Sequence, residues 1–454
     1  MSAVQPTDPS HLPLPPGPSL AESYRLLKMS PPDALLKLAK DYGDVVRWRA
    51  PLNTIYCLNH PEHVRQVLTQ SYPRYTKDTI DYRVVGRTLG RGLVTNEGAD
   101  WARQRRLMQP VFANRSIDKF DVVINEMTTQ LCEAWARRRA DETVWLDREM
   151  SRVTFQVVSR TLFGTAIDDA ADEMVEILEI VNQHPLKLSS LMTLVPWLPV
   201  PSNRRFARIK ARLDAMVDGL VEQRRASGDS SRNDILDRLL AARDEDTGEG
   251  MDREQMRDEL ITLLLAGHET SATALVWTYH LLGQHPEVEA RLVEELRSEL
   301  GGRAATSADL PRLPYLKMVV QEAMRLYPPV WGIARRSNEE AEFGGYRVPA
   351  GSYISISMYA LQRHPEYWPD PDRFDPERFD PKRNEQRHSY CYIPFSAGPR
   401  ACIGAGMAML EIQLVLAQLL QRFVVRPVPG FPVVPQAVVT FKTRAGMPVT
   451  ITPR

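Results

Sequence analysis

The stretch Phe395-Ser396-Ala397-Gly398-Pro399-Arg400-Ala401-Cys402-Ile403-Gly404 constrains this chain more than any other. A short turn rich in Gly and Pro presents one thiol just ahead of a helical pattern, Ile403 to Phe423. A helix N-terminus carries partial positive charge and favours a thiolate beside it. Gly398 and Gly404 lack a Cβ, so the backbone can turn sharply and a flat group can approach closely. Arg400 sets a fixed cation two residues before the sulfur, suited to a carboxylate, and Phe395 adds an aromatic wall. No Cys or His stands close by in sequence to complete a tetrahedral zinc site. The plainer reading of a lone Cys is a buried structural thiol.

Composition narrows the rest. The 454 residues carry 57 basic and 57 acidic side chains, so no global field points to nucleic acid or an anionic surface. The cysteines are Cys57, Cys132, Cys391 and Cys402, too few in this length for a disulfide framework, and a reducing cytoplasm is expected. Met1 to Ser19 is polar and proline-rich, without the basic and apolar blocks of a signal peptide. No run of 18 to 20 apolar residues predicts a membrane span. The 35 prolines predict many fixed turns.

In order, Ser30 to Tyr42 reads as a helix, and Val45 to Trp48 with Thr54 to Leu58 as a hairpin. Tyr72 to Val94 reads as an irregular loop; its Gly86, Gly90 and Gly92 do not make a dinucleotide motif. Ala99 to Ala113 is a helix pattern with Arg103, Arg105 and Arg106, and Trp101 lies four residues before Arg105 on one face. Ile124 to Arg139, Met150 to Phe163, Glu173 to His184 and Arg205 to Ser227 are further helix patterns, interrupted by the apolar, proline-rich Val195 to Pro201. Asp252 to Leu282 is the longest, with Leu263, Ala266, Thr270 and Ala274 on one face. Gly267 inside it costs about 1 kcal/mol against Ala and needs a local reason. His268-Glu269 begins like a zinc-protease motif, but Ala272 stands where the second His would be. Glu322 and Arg325, three apart, share a face of Tyr315 to Leu326.

A single thiolate can serve as the one axial ligand of a haem. Phe-x-x-Gly-x-Arg-x-Cys-x-Gly, matched at every fixed position, resembles the haem-binding signature of the cytochrome P-450 monooxygenases. Three further motifs follow that family's order. Trp101 and Arg105 resemble a pair that binds a haem propionate. Ala266-Gly267-x-x-Thr270 resembles its oxygen-binding groove, with Glu269 and Thr270 as a proton-relaying acid–alcohol pair. Glu322-x-x-Arg325 with Arg378, in Phe374 to Phe379, resembles its structural triad. The resemblance implies a mainly α protein with a small β-rich lobe: one haem-thiolate domain over residues 15–454 behind a flexible tail, 1–14. It further implies a haem b cofactor on Cys402, with Phe395, Arg400, Gly404, Ala266, Gly267 and Arg335 in its surroundings. Arg336 adjoins Arg335 and competes for the propionate role.

Val330 to Ile333 and Val438 to Thr440 would line an apolar pocket for a small hydrophobic substrate. The implied reaction inserts one atom of dioxygen into a C–H or C=C bond. Electrons would come from NAD(P)H through a ferredoxin or flavodoxin-type partner, docking on a rim of Arg103, Arg106, Lys382 and Arg383. A monomeric, bacterial-type, cytoplasmic enzyme without nucleic-acid partners is expected. A peroxide-driven peroxygenase or isomerase on the same fold, or a non-catalytic haem sensor or carrier, are the alternatives.

Overall fold

Helix starts follow the punctuation in the chain. The helix Pro31–Tyr42 begins with proline in its first turn, where a missing N–H costs nothing. The helix Arg253–Gln284 opens at Asp252, whose side chain accepts a 2.8 Å hydrogen bond from the Gln255 N–H. These elements belong to a computed structural model that describes residues 9–50, 53–113, 117–139, 141–164, 201–228, 232–384 and 387–454. The expected helix Glu173 to His184, and all of Val195 to Pro201 but its last residue, lie outside the described residues.

The described strands are, in chain order, β1 (Val45–Ala50), β2 (Asn53–Leu58), β3 (Tyr75–Thr76), β4 (Thr143–Trp145), β5 (Gly332–Ser337) and β6 (Ala341–Phe343). They continue with β7 (Tyr346–Val348), β8 (Tyr353–Ser357), β9 (Phe423–Pro427), β10 (Pro435–Ala437), β11 (Phe441–Thr443) and β12 (Pro448–Pro453). The chain divides into two compact units.

One unit comprises Met1–Tyr82, Arg325–Arg373 and Pro381–Cys402, and is built on a five-stranded sheet in the order β1-β2-β8-β5-β3. The predicted hairpin is present: β1 and β2 pair antiparallel, with Val45 opposite Leu58. Alternation along these strands feeds two cores. Val45, Tyr56 and Leu58 join Val64, Ile354 and Ile356 on one side, while Val46, Trp48 and Cys57 join Leu35 and Leu38 on the other. Ahead of Pro15 the chain already engages β7, in the two-stranded β6-β7 sheet of this unit, since the Pro13 carbonyl accepts a 2.9 Å bond from the Arg347 N–H. Arg325, fully buried, donates to the carbonyls of Gln362 (2.9 Å), Pro371 (2.7 Å) and Arg373 (3.2 Å) and lies over Trp368. It therefore organises the chain that leads toward the cysteine loop.

The other unit, Arg83–Met324, Phe374–Asp380 and Ile403–Arg454, is mainly helical. At its centre, Arg253–Gln284 packs against Leu146–Phe163 and Ala405–Arg422. By length and composition alone it is the one helix among the described residues that could cross a membrane, but 72% of its apolar window is buried inside the protein. Gly267 finds its reason here. A Cβ at this position would stand 3.0 Å from Val158 Cγ2, so the glycine lets two helices approach. Glu322, fully buried, accepts a 2.9 Å bond from the Asp375 N–H and pairs with Arg378 at 3.4 Å. One expectation fails: Tyr72 to Val94 is not irregular throughout, because Ile80–Leu89 is helical. Ile80, Val84, Thr88 and Leu89 supply a helical period that Gly86 does not break.

Candidate active site

The thiol loop, as far as Cys402, belongs to the unit built on the five-stranded sheet. Its shape is set by local hydrogen bonds: Ser396 N–H to the Ile393 carbonyl (2.9 Å), Ala401 N–H to Gly398 (3.0 Å) and Cys402 N–H to Phe395 (2.9 Å). Gly398 has φ +70°, and a Cβ there would lie 2.0 Å from the Leu68 carbonyl oxygen, so only glycine allows the loop to rest on that backbone. Arg400 is buried, with its guanidinium 5.9 Å above the Tyr72 ring. The helix beyond runs Ala405–Arg422 with Gly404 as its N-cap, two residues later than the sequence pattern predicts.

Cys402 is exposed, whereas Cys57, Cys132 and Cys391 are buried. Burial pushes the Cys57 and Cys391 thiols up to about 12 and the Cys132 thiol up to about 11, so all three remain protonated. Sequence order left Arg335 and Arg336 in competition; the alternation of β5 separates them. Arg335 is buried and donates to the Tyr82 hydroxyl (3.2 Å) and the Ala334 carbonyl (2.7 Å). Arg336 points outward, 3.8 Å from Asp78.

The other candidate groups stand on helices of the second unit. Ala266 is exposed midway along the mostly buried helix Arg253–Gln284, and the Thr270 hydroxyl donates to its carbonyl at 2.6 Å. This is the side-chain diversion of a helix carbonyl that a mid-helix Thr can make. Glu269 Oε1 accepts from the Thr440 hydroxyl at 3.0 Å and lies 3.6 Å from Lys442 Nζ. His268 points into the protein, with Nε2 2.7 Å from the Ser151 hydroxyl; burial, aided by the Lys442 charge, brings it down to about 4, so it is neutral near pH 7. Trp101 is buried and Arg105 half-buried on Gly98–Met108, with Arg105 Nε donating to Gln109 (3.1 Å).

Half of the expected docking rim is already engaged within the protein. Arg103 donates to the Gly250 carbonyl (2.7 Å) and to Gln255, while Arg106 pairs with Asp244 and Asp246, each at 3.0 Å. The acidic segment Asp244 to Gly250, legible as a solvent loop, neutralises Arg106 and supplies backbone acceptors to Arg103. Lys382 and Arg383 are exposed.

Three sets of groups escaped the sequence reading. Thr440 and Lys442 hold Glu269 from far along the chain. Asp258 and Glu259 accept the N–H groups of Arg91 (2.8 Å) and Leu93 (2.9 Å), tying the glycine-rich segment to the long helix, and burial pushes Glu259 up to about 8. Two adjacent acids on an apolar helix were the available signal. Glu411, buried beside Ser271, is likewise pushed up to about 8 by burial.

The residues present fit a haem. Among the described residues no cluster of three His, Cys, Asp or Glu side chains is arranged to hold a metal ion. Buried Arg335 and Arg400, in the same unit as Cys402, are suited to a haem's carboxylates.

The family model for cytochrome P450 matches residues 13–439. The chain belongs to the cytochrome P450 family. It is 38% identical over 423 residues to cyclooctatin synthase of Streptomyces melanosporofaciens, covering 93% of this chain and 91% of that protein. It is also 38% identical over 391 residues to cyclooctat-9-en-7-ol 5-monooxygenase of the same organism (86% and 84%). Pentalenene oxygenase of Streptomyces avermitilis is 34% identical over 403 residues (88% of each). The crystal structure of the cytochrome P450DA heme domain superposes with a TM-score of 0.88 at 24% identity, covering 98% of both chains, and agrees in fold. This P450 is a haem-thiolate monooxygenase, an oxidoreductase that inserts one oxygen atom of dioxygen into an organic substrate.

Proposed function

We propose that this P450 oxygenates an apolar terpenoid, with Cys402 as the thiolate ligand of haem b and electrons passed from NAD(P)H by a separate ferredoxin or flavodoxin-type protein. The loop around Cys402 carries the reading: one exposed thiol on a hydrogen-bonded turn, two residues from a buried arginine. The substrate class is supported by the names of the relatives at 34–38% identity.

When bound, the haem supplies dioxygen activation and the oxidising power that breaks the substrate bond. The dipole of Ala405–Arg422 favours the ionised sulfur of Cys402. Trp101, Arg105, Arg335 and Arg400 would hold the cofactor's carboxylates, and Phe395, Gly404 and Ala266 would adjoin it. Thr270 has its own proton engaged with Ala266, which leaves its oxygen as an acceptor, and Glu269 replenishes protons from solvent. Val330 to Ile333 and Val438 to Thr440 would form apolar walls that exclude water. Lys382 and Arg383 would meet the electron donor through charge, so neutralising both should weaken the salt dependence of reduction. Residues 15–454 act as one monomeric haem-thiolate domain in the cytoplasm.

The deciding measurement is the absorption spectrum of the dithionite-reduced protein under carbon monoxide, for wild type and Cys402→Ala. A strongly red-shifted Soret band that the variant loses is expected. Folded, haem-supplied wild type without a haem band would overturn the assignment of Cys402.

A further inference from the structure

The hairpin formed by β10 and β11 pairs Pro435 with Thr443, Gln436 with Lys442 and Ala437 with Phe441. Its tip is closed by a 2.9 Å bond from the Val438 N–H to the Thr440 carbonyl. The hairpin is fastened to the long helix two turns beyond Glu269: Trp277 Nε1 donates to the Phe441 carbonyl at 2.6 Å, and the two rings lie 6.2 Å apart. On that fixed base the side chains on either side of Phe441 both reach Glu269 Oε1. Thr440, 2% exposed, donates its hydroxyl at 3.0 Å, and Lys442 brings its ammonium to 3.6 Å. The Lys442 and Glu269 side chains are 20% and 13% exposed, so this charge pair is screened far less than a surface one.

We infer that Thr440 and Lys442 are positioning residues for the proton relay, which hold the Glu269 carboxylate in one orientation and make proton delivery depend on the seating of the hairpin. The inference rests on the reading of Glu269 as the relay acid. Protons drawn from solvent pass through Glu269 toward the reacting site, where the Thr270 oxygen serves as an acceptor, and no electron is exchanged in this step. A carboxylate free to rotate would miss the threonine for part of the time. Electrons and oxygen would then leave as hydrogen peroxide, two protons and two electrons per dioxygen, in place of product and water. Val438 and Val439 form the tip next to Thr440. A substrate that presses on the tip therefore also sets the orientation of the acid, which links pocket occupancy to proton supply.

The test uses haem-loaded full-length Thr440→Val, Lys442→Met, Lys442→Arg and Glu269→Gln, with Gln436→Ala as a hairpin control. One readout is peroxide formed per NAD(P)H consumed with a surrogate ferredoxin system and a turned-over terpenoid, with the solvent deuterium isotope effect. The other is a thermal-unfolding cycle for Lys442→Met and Glu269→Gln. Thr440→Val and Lys442→Met should lower product formation on the order of tenfold while raising the peroxide fraction and the isotope effect. Lys442→Arg should restore coupling, Gln436→Ala should match wild type, and the double variant should lose less Tm than the single losses added. Unchanged coupling in Thr440→Val and Lys442→Met, while Glu269→Gln leaks peroxide, would overturn the positioning role alone. Unchanged coupling in Glu269→Gln would overturn the relay reading itself. Shifted Tm with unchanged coupling would reduce the clamp to a structural contact and overturn the inference.

Discussion

Glu322→Ala isolates a buried charge. The Glu322 side chain is wholly enclosed and that of Arg378 is 10% exposed, with 3.4 Å between Oε1 and Nε. The same oxygen accepts the Asp375 N–H at 2.9 Å, so the carboxylate both answers the guanidinium and anchors the chain at Asp375. Removing one member of a buried pair costs about 3–5 kcal/mol, because the other charge stays desolvated. Unfolding entropy of about 2 cal/mol/K per residue, summed over this length, gives roughly 1 kcal/mol/K. The expected fall in Tm is therefore only about 3–5 °C, despite the severity of the lesion. Glu322→Gln keeps an acceptor for the Asp375 N–H but not the charge, and should fall between the two. Thermal unfolding followed by far-UV circular dichroism, with Arg378→Ala and the double variant, checks the reasoning. Removing both partners should cost less than the sum of the single losses. Additive losses, or a Glu322→Ala Tm within a degree of wild type, would refute the coupling.

Gly398→Ala should lower haem occupancy, read as the ratio of Soret to protein absorbance, because the new methyl meets the Leu68 carbonyl at 2.0 Å and a left-handed backbone costs an L-residue about 1–2 kcal/mol. Glu411 keeps its proton in the fold up to about pH 8, whereas the unfolded chain releases it near 4.5. Its contribution is complete below pH 4.5 and declines as pH rises toward 8. Urea midpoints of Glu411→Gln should accordingly fall less than those of wild type over that window, and parallel profiles would contradict the burial of a neutral acid. His268 acts at the other end. It stays neutral in the fold down to about 4 but charges in the unfolded chain near 6.5, so the stability it confers is lost as pH falls from 6.5 toward 4. His268→Gln should flatten that acid limb in the same assay.

The cysteine loop was legible because ten consecutive residues carry it and its hydrogen bonds close within itself or two residues upstream, at Ile393. The same holds for Thr270 and the Ala266 carbonyl, one helical turn apart. What stayed hidden depends on partners distant in sequence. Nothing near Glu269 announces Thr440 and Lys442, and no local pattern links Asp258 and Glu259 to the backbone at Arg91 and Leu93. Gly267 needed a local reason that its own helix could not name, because its close neighbour is Val158 of another helix. Arg103 and Arg106 looked like solvent cations because their carboxylate, amide and carbonyl partners lie some 140 to 150 residues downstream. The helix Ile80–Leu89 was masked by the glycines around it, which weighed more heavily than a short apolar period.

The division of the chain also bears on how it is made. The unit that carries Cys402 is assembled from three stretches, the first ending at Tyr82 and the last at Cys402. Gly398 rests on the carbonyl of Leu68, a residue synthesised more than three hundred positions earlier. On a ribosome, the N-terminal strands therefore wait for most of translation before the Cys402 loop exists. Domains usually fold as units during synthesis, but this one has no complete intermediate to fold into. With Cys402 as the haem ligand, cofactor capture would be a late event, and nascent chains stalled before β5 and β8 emerge would leave one edge of β2 unpaired and depend on chaperones rather than on cofactor supply.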